Sequence, residues 1–71
     1  MREYLKTLHA ETGISQIEAS QKLDVSESYY SLILSGERQK DLDLSLALKL
    51  AKIFGVSIDF IIAEEGKLKE A

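Results

Sequence analysis

The 71-residue sequence contains no cysteine, no proline and no tryptophan, and it has a single histidine. Without cysteine, the chain has neither a disulfide nor a thiolate metal site, so packed apolar side chains must stabilise it. No apolar run approaches the ~18 residues of a membrane-spanning helix, and the first residues lack the apolar segment of a signal peptide. These absences predict one small cytoplasmic domain with no membrane segment.

The same shortages argue against catalysis and cofactor binding. A nucleophilic triad would have to be built around one histidine, without cysteine, in a domain too small for a deep cleft. The sequence has no cluster of potential metal ligands at a suitable spacing. Acidic pairs such as Glu64-Glu65 are interpreted as solvated charges near a helix end. We therefore expect no enzyme, no cofactor, no metal and no small-molecule substrate.

Charges of both signs are present. Nine basic and twelve acidic side chains give a net charge of −3, whereas a protein that binds polyanions is usually basic overall. A local basic patch can still act by itself, because salt screens charges that lie more than about 8–10 Å apart. Because the net charge is negative, strong nonspecific affinity for nucleic acid is nevertheless not expected.

Apolar residues recur three or four positions apart, which predicts helices and not strands. Ser15, with Glu18 three positions later, has the pattern of a capping box at a helix start. Ser26 and Ser57 are expected to cap later helices, and Gly36 is expected to end one. The predicted helices are about 2–11, 16–23, 27–35, 45–54 and 58–65.

These elements predict an all-α fold, a compact five-helix domain over residues 1–66 with a frayed tail at 67–71. Two short helices joined by a tight turn form a helix-turn-helix motif at about 16–35. Small side chains at the crossing of these two helices would let them approach closely. The side chains expected in the core are Leu5, Leu8, Ala19, Leu23, Val25, Tyr30, Ile33, Leu50, Ala51, Phe54 and Val56.

From about Leu5 to Ile62, the chain resembles the Cro and phage-repressor family, also called lambda-repressor-like. The matching features are Ser15-Gln16, Ala19-Ser20, Val25-Ser26, Gly36, Leu50-Ala51-Lys52 and Gly55-Val56-Ser57. The resemblance implies a helix-turn-helix transcriptional regulator of prokaryotic or phage type. Such a protein would bind operator DNA as a repressor or Cro-like switch protein.

The family's third helix faces the major groove of DNA with its N-terminal part. Carried onto this chain, that implies a DNA-binding set of Gln16, Ser26, Glu27, Ser28, Tyr29, Leu32, Arg38 and Lys40. Gln16, Arg38 and Lys40 would meet the phosphate backbone. The other positions offer an acceptor for cytosine N4 at Glu27, a hydroxyl at Ser28 and a contact for a thymine methyl at Leu32.

An alternative follows from what this helix lacks. The segment 26–35 has no arginine, lysine, asparagine or glutamine, the residues that make bidentate contacts with guanine or adenine. Tyr29 and Leu32 are predicted to be exposed, and such a pair suits a protein interface. The alternative function is a repressor modulator or antirepressor that binds another repressor with weak DNA affinity of its own. Its partner-binding residues would be Glu27, Ser28, Tyr29 and Leu32.

Other features of the family concern its interior and its assembly. The family usually pairs an arginine of helix one with a glutamate late in helix three, and these positions fall on His9 and Leu34. Loss of both partners is coherent, because removing only one would leave a buried charge. We therefore expect His9 to be a packed or half-exposed structural residue. The family often builds a homodimer from the start of the fourth helix and the region of residues 58–62, but packing in the core explains most of the apolar residues of this region equally well.

Overall fold

The computed structural model describes residues 1–70, which form five α-helices and no β-strand. In chain order the helices are α1 (Glu3–Thr12), α2 (Gln16–Leu23), α3 (Glu27–Ser35), α4 (Leu44–Phe54) and α5 (Ile58–Glu70). The predicted all-α, five-helix fold is confirmed.

Three of the helices have a serine N-cap at their start. Ser15, Ser26 and Ser57 each accept, through Oγ, the backbone N–H three residues further on, at 3.0, 3.1 and 3.1 Å. These bonds satisfy N–H groups that have no partner within the first helical turn. At the other end of α3, Gly36 takes a left-handed conformation with φ 86°, which glycine adopts without steric cost. The N-caps predicted at the three serines and the helix end predicted at Gly36 are confirmed. At Ser15 only half of the predicted capping box is formed, because the Glu18 carboxylate pairs with Lys22.

The core lies between α1, α2, α3 and α4, and α5 closes it against α4. Most of the predicted core residues are buried, but Val25 and Val56 are only half-buried at its margin. Three buried apolar residues were not predicted, namely Leu34, Ala47 and Ile61. Leu34 occupies the place of the family's glutamate, so an apolar side chain fills this part of the interior.

Helix α5 is longer than predicted. It continues through Glu70, whereas the sequence predicts a frayed tail at 67–71; Ala71 lies outside the described residues. Lys67 pairs with Glu64 one turn earlier at 3.2 Å, and Lys69 reaches Asp41 in the α3–α4 connection at 2.6 Å. These contacts stabilise the last turns of the helix. The domain boundary at residue 66 stays a prediction.

Candidate nucleic-acid interface

The turn between α2 and α3 sets the position of the third helix. Asp24 adopts a left-handed conformation with φ 62°, and the N–H of Val25 donates to the carbonyl of Ser20 at 3.0 Å. Ala19 and Ser20 on α2 are buried, and α2 packs against both α3 and α4. The predicted role of their small side chains at the crossing of α2 and α3 stays a prediction.

Helix α3 has a buried side and an exposed side. Tyr30, Ile33 and Leu34 are buried, whereas Glu27 and Ser28 in the first turn are exposed. Also exposed are Gln16 at the start of α2, Ser26 and Ser31, and Arg38 and Lys40 in the connection that follows α3. The hydroxyl oxygen of Ser26 already accepts the capping hydrogen bond. The polar candidates of the predicted DNA-binding set are thus accessible, while their contacts with DNA stay predictions.

The predicted exposure of Tyr29 and Leu32 is wrong. Both are half-buried, and Tyr29 packs against the core cluster. The hydroxyl of Tyr29 also accepts a hydrogen bond from Gln39 Nε2 at 2.9 Å. Tyr29 therefore serves the packing of the domain and offers little free surface as an interface anchor.

The connection between α3 and α4, residues 36–43, carries Arg38 and Lys40 and is tied to both helices. Gln39 has a left-handed backbone with φ 55°. While its Nε2 donates to Tyr29 on α3, its Oε1 accepts the N–H of Asp43, the residue before α4, at 3.2 Å. This 36–43 loop thus has a defined position relative to α3.

The side chain of a buried arginine, Arg2, is hydrogen-bonded to the backbone of the same loop. Arg2 is 2% exposed, and its Nε and Nη2 donate to the two carboxylate oxygens of Glu65 at 2.8 and 3.1 Å. Nη1 donates to the carbonyls of Ile33 and Arg38 at 2.5 and 3.3 Å. Nη2 also donates to the carbonyl of Gln39. All the guanidinium N–H groups thus have acceptors, as a buried charge requires.

The interpretation of Glu65 as a solvated charge is wrong. This carboxylate is 9% exposed and accepts a hydrogen bond from the Tyr4 hydroxyl at 2.5 Å, besides its pairing with Arg2. Burial, with the adjacent carboxylate, raises the pKa of Tyr4 well above its ordinary value. The sequence gives no clear sign of this pair, because the two residues lie at opposite ends of the chain and outside the motif.

His9 has the structural role that was predicted. Its Nδ1 lies 2.7 Å from the carbonyl oxygen of Ile14, and its Nε2 lies 2.7 Å from the hydroxyl of Tyr30. The imidazole also meets the ring of Phe54 edge-on, with centroids 4.9 Å apart. His9 therefore joins α1 to the α1–α2 turn, α3 and α4 at the place where the family carries an arginine.

The electrostatics of the motif differ from those of a strongly basic DNA reader. Residues 15–35 contain three acidic side chains and one lysine. That lysine, Lys22, pairs with Glu18 at 3.3 Å on the surface of α2. The exposed basic side chains that follow α3 are Arg38 and Lys40 in the 36–43 loop.

A helix-turn-helix family model matches residues 2–61. This match covers most of the chain, which therefore belongs to the lambda-repressor-like helix-turn-helix family of DNA-binding regulators. The family assignment made from the sequence is confirmed. No curated protein and no solved structure shows a significant match to the chain.

None of the helices within residues 1–70 combines the length and the hydropathy that a membrane span needs. Among the side chains of residues 1–69, no group of three or more histidine, aspartate or glutamate residues is placed to hold a metal ion.

Proposed function

We propose that this protein is a repressor or Cro-like switch protein, of prokaryotic or phage type, that binds operator DNA through α3. The observation that supports this most is the division of α3, whose first turn exposes Glu27 and Ser28 while Tyr30 and Ile33 anchor the helix. An anchored helix with an exposed polar N-terminal turn suits reading of the major groove.

The proposed contacts fall into two classes. Glu27 and Ser28 face base edges, where a carboxylate accepts from cytosine N4 and a hydroxyl bonds to several bases. Gln16, Arg38 and Lys40 meet phosphates, with Gln16 at the start of α2, where free backbone N–H groups favour an anion. Phosphate contacts position the protein, and base contacts specify the sequence.

Selection from a pool of random duplex DNA tests the proposal, because it finds a preferred sequence whatever the operator is. The purified chain should enrich a defined sequence, and the logarithm of its binding constant should fall linearly with the logarithm of salt concentration. Arg38→Gln and Lys40→Gln should each reduce that slope by about one ion. Lys49→Gln, which neutralises an exposed lysine of α4, is the matched control and should leave the slope unchanged.

Sequence preference provides a separate test. Ser28→Ala should change the enriched sequence at one base pair, with a loss of discrimination of about 1–3 kcal/mol. Arg38→Gln should instead weaken binding to all sequences alike, because phosphates carry no sequence information. If no sequence is enriched, or if binding at low salt is undetectable, operator binding is rejected.

A second function is supported by the charge of the same surface. Glu27 is exposed in the first turn of α3, a helix without any basic residue, and its charge would attract the basic DNA-facing surface of another repressor. In this antirepressor proposal the contact residues are Glu27, Ser28, Tyr29 and Leu32, with the last two contributing only their exposed parts. A pull-down from the host with and without nuclease distinguishes the two functions. A co-purified regulator that survives nuclease supports the antirepressor.

The proposal includes a homodimer built on one apolar face. Leu44, Leu48 and Ile62 are 62%, 44% and 54% exposed, and Leu44 and Ile62 line one groove between α4 and α5. Large exposed apolar side chains on neighbouring helices are typical of an interface. Sedimentation should show a dimer for the unmodified chain and a monomer for Ile62→Lys, with Ile17→Lys, at an equally exposed isoleucine of α2, as the control.

A further inference from the structure

Helix α5 is connected to the 36–43 loop at two separate points. Glu65 reaches the loop through Arg2, whose guanidinium binds the carbonyls of Arg38 and Gln39. One turn further along α5, Lys69 pairs directly with Asp41 at 2.6 Å. The loop with the proposed phosphate-binding side chains is therefore held by a helix outside the helix-turn-helix motif.

We propose that Arg2 and Glu65 are positioning residues for DNA binding, a role that rests on the proposed function. The two loop carbonyls that Arg2 binds belong to Arg38 itself and to the residue before Lys40. Neither Arg2 nor Glu65 reaches solvent enough to touch DNA, since they are 2% and 9% exposed. They act by fixing the backbone from which Arg38 and Lys40 extend.

The chemistry of the pair explains why both partners are needed. The planar guanidinium serves a bidentate carboxylate and three carbonyls at once, including that of Ile33 at the end of α3. A lysine ammonium has only three N–H donors, and it lacks the planar arrangement that binds both oxygens of a carboxylate, so it cannot replace all of these bonds. A neutral side chain at position 65 would leave the positive charge of Arg2 buried without its counter-charge. Either change weakens the hold on the loop near the end of α3, although the Gln39–Tyr29 hydrogen bond remains.

A loosened loop must be ordered again when DNA binds, which lowers affinity because ordering has an entropic cost. Glu65→Gln should weaken binding to the selected DNA roughly tenfold, and the salt slope should fall by up to about two ions as two phosphate contacts become loose. Glu64→Gln is the matched control. Glu64 is the preceding residue on α5 and pairs with Lys67 of the same helix, so its loss should leave affinity and slope unchanged.

Binding must be measured at a temperature where circular dichroism shows each variant to be folded, because a destabilised domain also binds less DNA. Double variants then separate positioning from general damage. In the Glu65→Gln background, Arg38→Gln should have little further effect, since the Arg38 contact is already loose. Ser28→Ala should weaken binding by the same factor in both backgrounds, because Ser28 lies in the first turn of α3.

Arg2→Lys is the second variant if Glu65→Gln fails to fold, since it keeps an opposite charge beside the carboxylate. It should show the same lower affinity and lower slope as Glu65→Gln. Unchanged affinity and slope in a folded variant, or Arg38→Gln effects that are additive with it, overturn the positioning role alone. A wild-type chain without salt-dependent DNA binding overturns the proposed function, and the positioning role with it.

Discussion

Replacement of Leu50 by alanine tests whether the interior between the first four helices supports the fold. Leu50 is fully buried in the middle of α4 and belongs to the same core cluster as Leu5, Leu23 and Tyr30, which come from α1, α2 and α3. Because three other helices contribute the surrounding side chains, the structure cannot easily collapse into the space that the substitution creates.

The expected magnitude follows from this burial. Truncation of a buried leucine to alanine costs about 2–5 kcal/mol, from lost transfer free energy and from the cavity. A domain of this length has roughly 4–10 kcal/mol of total stability. Leu50→Ala should therefore remove a large fraction of the free energy of unfolding and lower Tm by roughly 10–30 °C.

The matched control is Leu48→Ala, the same substitution in the same helix at a side chain that is 44% exposed. It should change stability by less than about 0.5 kcal/mol. Thermal and urea unfolding should be compared at low protein concentration, where the proposed dimer contributes least. Equal losses for the two variants, or a loss below about 1 kcal/mol for Leu50→Ala, would refute the assignment of this core.

Three further perturbations test individual contacts. Burial raises the pKa of Tyr4 and of Tyr30 in the folded chain. The stability that depends on their protonated hydroxyls is therefore complete below about pH 10 and is lost as the pH rises beyond it. A pH titration followed by tyrosinate absorbance should show that these groups ionise at a higher pH in the folded chain than in the unfolded chain; identical titrations would contradict this. Tyr30→Phe removes the hydroxyl that meets His9 at 2.7 Å and should cost about 0.5–1.5 kcal/mol in urea unfolding, whereas an unchanged midpoint would show that this bond contributes nothing. The hydrogen bond from Lys69 lowers the pKa of Asp41, so Lys69→Gln should return that pKa towards its ordinary value in a carboxyl NMR titration, and an unshifted titration would show that the pair is not formed in solution.

Apart from the end of α5, helix starts and ends were predicted well because the interactions that set them are local. Ser15, Ser26 and Ser57 bond to N–H groups only three residues away, so each cap is visible in a short stretch of sequence. The left-handed conformation of Gly36 likewise depends on the residue itself. The spacing of apolar residues predicted most of the core, since a helix buries one face.

The candidate site was predicted only in part. The family resemblance placed Glu27 and Ser28 on the accessible side of α3, where both are exposed. The spacing of the core residues on α3 also predicted exposed Tyr29 and Leu32, and both are half-buried. The error arose because the partner of Tyr29, Gln39, lies in an irregular loop ten residues further along the chain. No periodicity relates a helix residue to a side chain of such a loop, so the contact depends on the path of the 36–43 loop.

The buried pair of Arg2 and Glu65 lay beyond sequence reasoning for a stronger physical reason. The two residues are 63 positions apart, and each by itself has the sequence character of an ordinary surface charge near a helix end. Burial of either charge is favourable only when the other charge and the carbonyls at the end of α3 meet it together. Helices, caps and the family are thus encoded in local sequence. The support of the proposed DNA-binding loop arises only when the first residues, α3 and α5 come together, because no isolated segment contains enough partners for a buried guanidinium.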